Sequence, residues 1–212
     1  MRAVLDAARE AGVPVREVPR GRLDAFVADH QGVVAVLSRE RHARPAALGE
    51  WDLATHPFDD DAVVVLLDGI TDPQNLGAAA RSAEAAGVAM LVSRVHRAAD
   101  VTPAAVRASA GALLHLPHAR VANIPRAVQR LQEAGFFVVG LAGEAALDIY
   151  QEPCPPGRVA IALGSEGEGL ARLTRERCDA LVRLPMRGRV GSLNAAASLA
   201  VALYAYVLPS RR

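Results

Sequence analysis

The chain has 212 residues, of which 51% are apolar and 22% are charged, and its formal net charge is +1. This composition supports a buried core and excludes global disorder, and the near-neutral charge excludes a strong overall attraction to nucleic acid. All 24 basic side chains are arginine, which excludes a pyridoxal Schiff base, a lysine nucleophile and a Walker A phosphate loop.

Short apolar or β-branched runs alternate along the chain with segments of helical spacing. This alternation predicts an α/β domain with a mainly parallel sheet that helices cover on both faces. The predicted strands are Val33–Leu37, Val63–Leu67, Val88–Val92, Leu113–Leu116, Phe136–Leu141, Val159–Leu163 and Leu181–Leu184. The predicted helices are Pro73–Ala86, Pro103–Ala110, Ile124–Ala134 and Leu170–Cys178, followed by a buried or interface helix in Leu193–Leu208.

The pattern breaks near Thr55–Asp61, where a His-Pro pair and three consecutive aspartates occur. We therefore expect a small N-terminal α/β segment of residues 1–55 and a main domain of residues 60–212. No internal repeat is visible in either part.

The loop after the predicted strand Val63–Leu67 leads into a well-capped helix. Asp72 is a suitable N-cap and Pro73 a suitable first helical residue, so that Asn75 falls near the electropositive helix end. Arg81 follows about 9 Å further along the axis, and its side chain leans back toward the N-terminus. Either Asn75 and Arg81 share a site at this helix end, or the segment is a capped helix with one solvated arginine.

A second loop, Gly164–Gly169, directly follows the predicted strand Val159–Leu163. Its three glycines permit positive φ angles and close backbone approach to a ligand. Its two glutamates disfavour a polyphosphate, and a ligand with ribose hydroxyls and a positive centre suits it better. The spacing is not the dinucleotide fingerprint, and Ser165 lacks the glycines of a nucleophile elbow. A plain flexible turn is the alternative.

A third loop, Leu184–Asn194, joins the last predicted strand to the last helix, which Ser192 or Asn194 starts. Arg187 and Arg189 are candidates for holding a phosphate. This loop is a weak indication when taken alone, because loops between strands and helices commonly have such a composition.

Other chemistry-bearing residues offer less. Cys154 and Cys178 are too few for a disulfide framework or a zinc site, and His115 and His118 lack metal-ligand spacing, so we expect surface or turn roles for both histidines. The chain has no apolar signal-peptide segment, and the apolar run Leu193–Leu208 is short for a membrane span. We expect a cytoplasmic protein without a metal ion or a membrane anchor.

In this order and at these distances, the three loops resemble the three motifs of the SpoU-type RNA 2′-O-ribose methyltransferases of the SPOUT superfamily. The similarity runs from roughly Gln31 to Val207 and is greatest to the branch that methylates a guanosine ribose in 23S ribosomal RNA. The matching segments are Asp68–Ala83, Leu163–Gly169 and Leu184–Met186 with Ser192–Asn194, and in addition Gly140–Glu144 and His30–Gly32.

The resemblance implies a parallel sheet whose C-terminal stretch forms a deep trefoil knot. It also implies a homodimer whose active site is completed near the interface, and S-adenosylmethionine bound in the knot largely through backbone contacts. The cofactor-binding positions that it implies are Leu141, Gly143, Gly164, Leu184, Met186, Ser192 and Leu193.

The resemblance further implies that a ribose 2′-oxygen attacks the sulfonium-bound methyl group without a metal, so that S-adenosylhomocysteine leaves. It also implies catalytic roles for Arg81, Asn75, Glu166 and Asn194. A guanidinium is effectively always protonated, so we expect Arg81 to orient the target phosphate or to lower the pKa of the hydroxyl rather than to act as a base. Asn75 is expected to position the ribose or Arg81. Glu166 is expected to orient Arg81 or the loop or to bind the ligand, and Asn194 with Ser192 to fix the third loop.

The expected substrate is RNA, either a guanosine in ribosomal RNA or, as the alternative, one in tRNA. The family's ribosomal branch carries an N-terminal domain resembling an L30-type ribosomal protein, and this chain starts partway through that unit, so we expect a partial RNA-binding segment. A non-catalytic RNA-binding relative is a further alternative. A nucleotide-phosphate or dinucleotide enzyme is disfavoured by the missing lysine and the acidic second loop. Candidate phosphate contacts outside the loops are Arg94, Arg97, Arg107, Arg126 and Arg130.

Overall fold

The computed structural model describes residues 2–27, 30–36, 50–151 and 153–211. The chain forms two compact units, Met1–Ala43 and Arg44–Arg212. The described part of the smaller unit contains the helices α1 (Arg2–Glu10) and α2 (Arg20–Asp24).

A buried histidine fixes the turn after α2. The Nε2 atom of His30 lies 3.0 Å from Oδ1 of Asp24, and its Nδ1 atom accepts a hydrogen bond of 2.8 Å from the backbone N–H of Gly32. Because Nδ1 accepts, Nε2 carries the hydrogen and donates a hydrogen bond to the carboxylate of Asp24. Gln31 and Gly32 both have positive φ angles, of 48° and 89°, so the pairing of His30 holds a backbone conformation that is uncommon for Gln31.

The larger unit is an α/β domain, and over its described residues it contains a seven-stranded sheet. The strands are β1 (Val63–Asp68), β2 (Met90–Arg94), β3 (His118–Val121), β4 (Phe137–Leu141), β5 (Leu147–Asp148), β6 (Val159–Gly164) and β7 (Ala180–Arg183). The helices are α3 (Glu50–Thr55), α4 (Pro73–Ala85), α5 (Pro103–Ala108), α6 (Ile124–Glu133), α7 (Arg172–Arg177) and α8 (Ala195–Val201). A 3₁₀ turn, Ala112–Leu114, precedes β3, and α8 continues as a π-helical stretch, Ala202–Val207, and a 3₁₀ turn, Leu208–Arg211.

Every pairing between the described strands is parallel, in the order β3-β2-β1-β6-β4-β7-β5. From β1, at the centre of the sheet, the chain adds β2 and β3 on one side. It then crosses over and adds β4 on the other side, next to the position of β6. The order in which strands are added therefore reverses its direction between β1 and β6. The carboxyl ends of the strands lie along one edge, and open parallel sheets bind ligands outside that edge at such a switch point. The predicted parallel α/β fold is confirmed, and the trefoil knot stays a prediction.

Helices cover both faces of the sheet, so that the central strand β1 is buried on both sides. All 6 residues of β1 are buried. Val63, Val65 and Leu67 pack with α4 and α8 on one face, and Val64 and Leu66 pack with α3 and α6 on the other. Continuous apolar runs of this kind are typical of parallel strands with two covered faces, and the predicted double cover is confirmed.

Helix α4 begins where the sequence predicts. Asp72 is its N-cap and accepts a hydrogen bond of 3.0 Å from the backbone N–H of Gln74, and Pro73 is its first residue. Arg81 is exposed, on the side of the helix that faces away from the core. The buried residues of α4 are Leu76, Gly77, Ala79, Ala80 and Ala83.

The C-terminal apolar run forms a helix from Ala195, as predicted, with one side buried and Tyr204 exposed on the other. Leu199, Leu203 and Tyr206 lie in the core on the α4 face of the sheet. Among the described helices, none is long and apolar enough to cross a membrane. At the other end of this unit, Leu53 of α3 packs in the core beside α6, and the domain division between residues 55 and 60 stays a prediction.

Two predicted strands are wrong. In Leu113–Leu116, the first two residues lie in the 3₁₀ turn before β3 and the other two lie outside any strand. The 3₁₀ turn follows Gly111, which has a left-handed conformation with a φ of 90°. Residues 33–36 lie outside any strand, and Leu37 lies outside the described residues. Short apolar runs flanked by glycine or proline do not distinguish a strand from a turn. The other predicted strands and helices are present, with small shifts at their ends.

A buried histidine joins β2 and β3. The Nε2 atom of His118 lies 2.7 Å from the hydroxyl oxygen of Ser93, and both residues are buried. Burial, and then the positive charge of Arg120, lower the pKa of His118 to about 4, so the imidazole is neutral at pH 7. The predicted surface or turn role of His118 is wrong because β3 starts at this residue, whereas His115 is exposed.

The free energy of unfolding is expected to fall as the pH is lowered from 6.5 toward about 4. In this window the unfolded chain binds a proton at His118 that the folded chain excludes, which costs up to about 1.4 kcal/mol per pH unit. Urea unfolding at about pH 7 and about pH 5 measures the loss, and His118→Gln should remove most of it. A variant with the same pH dependence as the parent would contradict this assignment.

Candidate active site

The register of β1 and β6 brings the first and second loops together. Asp68 pairs with Gly164 at the ends of the two strands, so both loops leave the sheet side by side. Beneath them, the buried carboxylate of Asp68 accepts hydrogen bonds from the backbone N–H of Ala171 at 3.1 Å and from the hydroxyl of Thr174 at 2.6 Å. The sequence indicated no role for Asp68, although an acidic residue at the end of an apolar buried strand is a detectable signal.

The second loop is a tight turn that closes on Gly164. Ser165 and Gly169 exchange two backbone hydrogen bonds of 3.1 and 2.9 Å. Gly167 and Gly169 have positive φ angles of 87° and 69°, as the sequence predicts. A Cβ atom at Gly164 would overlap the backbone of Gly169 and Leu170, so the close approach at this glycine is to the loop's own backbone.

Asn194 connects the third loop to the other two. Its Oδ1 atom accepts hydrogen bonds from the backbone N–H groups of Ala196 at 2.9 Å and Ala197 at 3.3 Å, which caps α8. Its Nδ2 atom donates to Oδ1 of Asn75 at 2.8 Å and to Oε1 of Glu166 at 3.3 Å. One side chain therefore caps a helix and joins the three loops.

The capping contacts determine which atoms Asn75 presents. Because the oxygen of Asn194 faces the amides of α8, its nitrogen faces Asn75 and Glu166, and a nitrogen can only donate. Asn75 must accept with its oxygen, which leaves its NH₂ group as a donor. The half-buried Asn75 in the first turn of α4 thus presents a fixed donor.

The first and second loops line a cleft of about 190 Å³. It lies outside the carboxyl ends of β1 and β6, where the strand order switches. The cleft is smaller than pockets that enclose drug-sized ligands, so it suits one group of the size of a sugar. Its lining residues are Gly69, Ile70, Thr71, Asp72, Asn75, Ser165 and Glu166.

The predicted cofactor positions follow the ends of three neighbouring strands. Leu141 ends β4, Gly164 ends β6 and Leu184 follows β7, and these strands are adjacent in the order β6-β4-β7. Gly143 lies in the loop after β4. The remaining positions, Met186, Ser192 and Leu193, lie in the segment between β7 and α8.

The segment between β7 and α8 has unpaired polar backbone groups. Within the part of the chain that the structure describes, residues 184–193 take part in no hydrogen bond or ion pair. Such amides and carbonyls need a partner from water or a ligand. The apolar side chains of Met186 and Leu193 are 37% and 41% exposed beside them. These groups fit S-adenosylmethionine, which has an apolar adenine ring with polar edges and ribose hydroxyls.

Two arginines hold the loop after β4. Arg175 donates a hydrogen bond to Glu144, and Arg183 donates one of 2.8 Å to the carbonyl of Ala145. The pKa of Glu144 is lowered, first by a hydrogen bond that its carboxylate accepts from its own backbone N–H and then by the hydrogen bond from Arg175. These contacts keep the loop that carries Gly143 against α7 and β7.

Arg81 is separate from the network around Asn194. Its side chain is exposed, and among the described residues it takes part in no hydrogen bond or ion pair. The structure thus brings Asn75, Glu166 and Asn194 together and does not join Arg81 to them. A guanidinium without an internal partner is available to an external anion, and the catalytic role of Arg81 stays a prediction.

Neither a metal site nor a reactive thiol is found in the described part of the chain. No group of three or more His, Cys, Asp or Glu side chains that could hold a metal ion occurs there. Burial, and then the charges of Asp179 and Asp68, raise the pKa of Cys178 to about 12. Cys154 is buried. A thiolate nucleophile is therefore disfavoured at Cys178.

Known families and relatives match this arrangement. The model of the SpoU rRNA Methylase family matches residues 62–204, and a model described as RNA 2′-O ribose methyltransferase substrate binding matches residues 1–43. The protein named 23S rRNA (guanosine-2′-O-)-methyltransferase RlmB from Vibrio cholerae is 41% identical over 203 residues, which cover 95% of this chain and 80% of that protein. The protein of the same name from Pseudomonas putida is 40% identical over 205 residues, which cover 96% and 81%.

Solved structures agree with these matches. The SpoU methyltransferase AviRb from Streptomyces viridochromogenes, in complex with the cofactor AdoMet, is 34% identical and has a TM-score of 0.66 over 74% of this chain and 64% of that chain. The AdoMet-bound rRNA methyltransferase from Sinorhizobium meliloti is 29% identical and has a TM-score of 0.66 over 72% and 58%. This chain thus spans less than two thirds of each solved chain. With the three loops gathered at one edge of a parallel sheet, these matches show that the chain belongs to the SpoU rRNA methylase family.

Proposed function

We propose that this protein is an RNA 2′-O-ribose methyltransferase that transfers a methyl group from S-adenosylmethionine to a guanosine ribose in 23S ribosomal RNA. The observation that carries the proposal is the bridge from Asn194 to Asn75 and Glu166, which assembles a polar cluster at a sugar-sized cleft. The 41% identity to an RlmB protein over 95% of the chain supports the choice of substrate.

The residues at the ends of β4, β6 and β7 would hold S-adenosylmethionine. When bound, it supplies an electrophilic methyl group on a positively charged sulfur. The unpaired backbone of residues 184–193 offers hydrogen bonds, and Leu141, Met186 and Leu193 offer apolar contacts. The second loop adds the carboxylates of Glu166 and Glu168, which suit a cationic ligand and repel a polyphosphate.

Asn75 positions the ribose. Its NH₂ group is oriented by Asn194 before RNA arrives, so it can donate to a ribose oxygen without reorganisation. Aligning two bound reactants contributes about 7–11 kcal/mol to catalysis, whereas general base catalysis gives about 10²–10⁴ in rate. Alignment by this fixed cluster is therefore the larger contribution.

Arg81 binds the phosphate of the target nucleotide. Its guanidinium is permanently charged and is not neutralised by any described residue, so it attracts the anion and favours loss of the ribose proton. Glu166 uses one oxygen for Asn194, and its second oxygen is available to the ligand or to Arg81. These roles divide the reaction between positioning by Asn75 and charge stabilisation by Arg81.

The N-terminal unit contributes to RNA recognition. The match of residues 1–43 to a substrate-binding family covers the same residues as the compact unit Met1–Ala43. We assign residues 1–43 to this role and residues 60–212 to methyl transfer. Helix α3, which lies within the expected segment 1–55, belongs to the larger unit, where Leu53 packs in the core. A ribosomal RNA substrate also accords with the cytoplasmic location expected from the sequence.

A homodimer is part of this proposal. Large side chains of the third loop and the C-terminal helix are exposed to solvent: Val190 is 70% and Tyr204 52% exposed. Exposed apolar side chains grouped near a functional site are typical of interaction surfaces. Pairing of two chains through this region would place the partner beside the cofactor segment.

Methyl transfer to ribosomal RNA tests the function. Purified protein with radiolabelled S-adenosylmethionine is expected to label 23S RNA from a strain that lacks the corresponding methylase, at one guanosine 2′-oxygen, as mapped by nuclease protection and mass spectrometry. The matched assay uses bulk tRNA. Labelling of tRNA alone would favour a tRNA methyltransferase, and cofactor binding without transfer to either RNA would favour a non-catalytic RNA-binding relative.

Arg81→Ala is expected to lower kcat by on the order of 10²–10³-fold, as loss of a charge that stabilises the transition state does. Its affinity for S-adenosylmethionine, measured by calorimetry, should stay within about twofold of the parent value, because Arg81 makes no hydrogen bond or ion pair with any described cofactor position. Glu84→Ala, which changes another exposed residue of α4, serves as the control. Parental turnover in Arg81→Ala would remove Arg81 from the mechanism.

Two variants of Asn194 separate its roles. Asn194→Asp keeps the capping oxygen but removes the donor to Asn75 and Glu166. We therefore expect a large decrease in kcat and little change in thermal stability. Asn194→Ala removes both roles and should also lose about 0.5–2 kcal/mol of stability. Measurements of kcat and Tm on both variants distinguish the bridging role from the capping role, and an active Asn194→Asp enzyme would disprove the bridging role.

A further inference from the structure

A second arginine-bearing feature lies at the carboxyl end of β2. Residues 95–100, called the β2 turn below, follow β2 and are held by Arg120 of β3. The guanidinium of Arg120 donates to the carbonyls of Arg94 and Val95, both at 3.0 Å, and to the carboxylate of Asp100 at 2.9 Å. Its side chain is only 16% exposed, so it serves as an internal support for the turn.

The β2 turn borders the cleft. Leu67 pairs with Ser93 in neighbouring strands, so the turn and the first loop leave the sheet about 4.8 Å apart. The backbone N–H of Ala99 donates a hydrogen bond of 2.8 Å to the carbonyl of Ile70, which lines the cleft. A strand of RNA whose ribose enters the cleft therefore passes close to the β2 turn.

The turn presents positive charge that is not neutralised. Asp100 is paired with Arg120, which leaves Arg97 in the turn and Arg94 at the end of β2. Arg97 is exposed and, among the described residues, has no hydrogen bond or ion pair. The Nε atom of Arg94 is buried without a hydrogen-bond partner in the described chain.

Arg97 also has an unusual backbone. Its φ angle is 55°, in a region that residues other than glycine rarely adopt and that persists where the surroundings enforce it, often at functional sites. Arg120 supplies that enforcement through the carbonyls on the N-terminal side of the turn and through Asp100 on the C-terminal side. The exposed, unpaired guanidinium of Arg97 therefore belongs to a turn that Arg120 holds in place.

We propose that the β2 turn binds a phosphate of the RNA strand next to the ribose in the cleft, with Arg97 as the contact and Arg120 as a positioning residue. This proposal rests on the proposed function and adds a subsite to it. A planar guanidinium binds phosphate oxygens in pairs, and phosphate contacts set the register of a nucleic acid without reading its sequence. The β2 turn thus sets which ribose enters the cleft.

Arg97→Ala is expected to raise KM for RNA by on the order of tenfold, the loss typical of one charge-assisted contact, with kcat at saturating RNA and cofactor affinity unchanged. The slope of log Kd against log salt for single-stranded RNA should become shallower by about 0.7, which corresponds to one phosphate. Arg177→Ala is the matched control, because Arg177 is an exposed arginine at the end of α7, where the chain turns into the amino end of β7. It should change neither quantity.

Arg120→Gln tests the positioning role. It should raise KM for RNA like Arg97→Ala, and the double variant should be no worse than either single one, because both changes disable the same contact. Additive losses would show that Arg120 acts elsewhere.

An Arg97→Ala enzyme with the parental KM and salt slope would overturn the proposal even if the parent methylates 23S RNA. A fall in kcat alone would overturn it as well. If the parent protein transfers no methyl group, the salt slopes of the parent, Arg97→Ala and Arg177→Ala still decide the phosphate contact, so the two proposals fail separately.

Discussion

The parallel pairing of β1 with β6 is the constraint on which the proposed site depends. The pair ends at Asp68 and Gly164, and burial of both faces of β1 fixes its register because a slip would move every side chain out of its packing position. A slip of one residue would also separate the first and second loops by about 3.3 Å. Asn194 reaches Asn75 and Glu166 at 2.8 and 3.3 Å and would lose at least one of them.

The proposed site consists of a buried layer of hydrogen-bonded residues and an exposed layer of residues without internal partners. Asp68, Thr174 and Gly164 are buried beneath the cleft, and Asp68 and Thr174 are hydrogen-bonded to each other, where an unpaired polar group would be costly. Above them, Arg81 and residues 184–193 have no partners in the described chain. A family whose ligands are a nucleoside cofactor and an RNA strand needs such a division, since the rigid layer supplies alignment and the open layer supplies contacts.

Prediction from sequence was most accurate where a single local preference, such as helix capping or a continuous apolar run, determined the structure of a segment. Asp72 and Pro73 start α4 as capping preferences require, and the continuous apolar run of β1 indicated a strand covered on both faces. It was wrong at Leu113–Leu116, where the left-handed Gly111 turns an apolar run into a 3₁₀ turn, and at His118, whose burial depends on Ser93 of the neighbouring strand.

The sequence by itself determined the fold class, the family and three glycine-bearing loops that carry Asn75, Glu166 and Asn194, because capping, hydrophobic period and motif spacing are properties of short segments. Tertiary structure alone decided that Asn194 presents its nitrogen to Asn75 and Glu166 and that Asp68 is hydrogen-bonded to Thr174 beneath the cleft. It also decided that Arg120 holds the β2 turn, which carries Arg97. Each of these contacts joins residues from different strands or loops. No local pattern encodes them, because strand order and register set which segments meet.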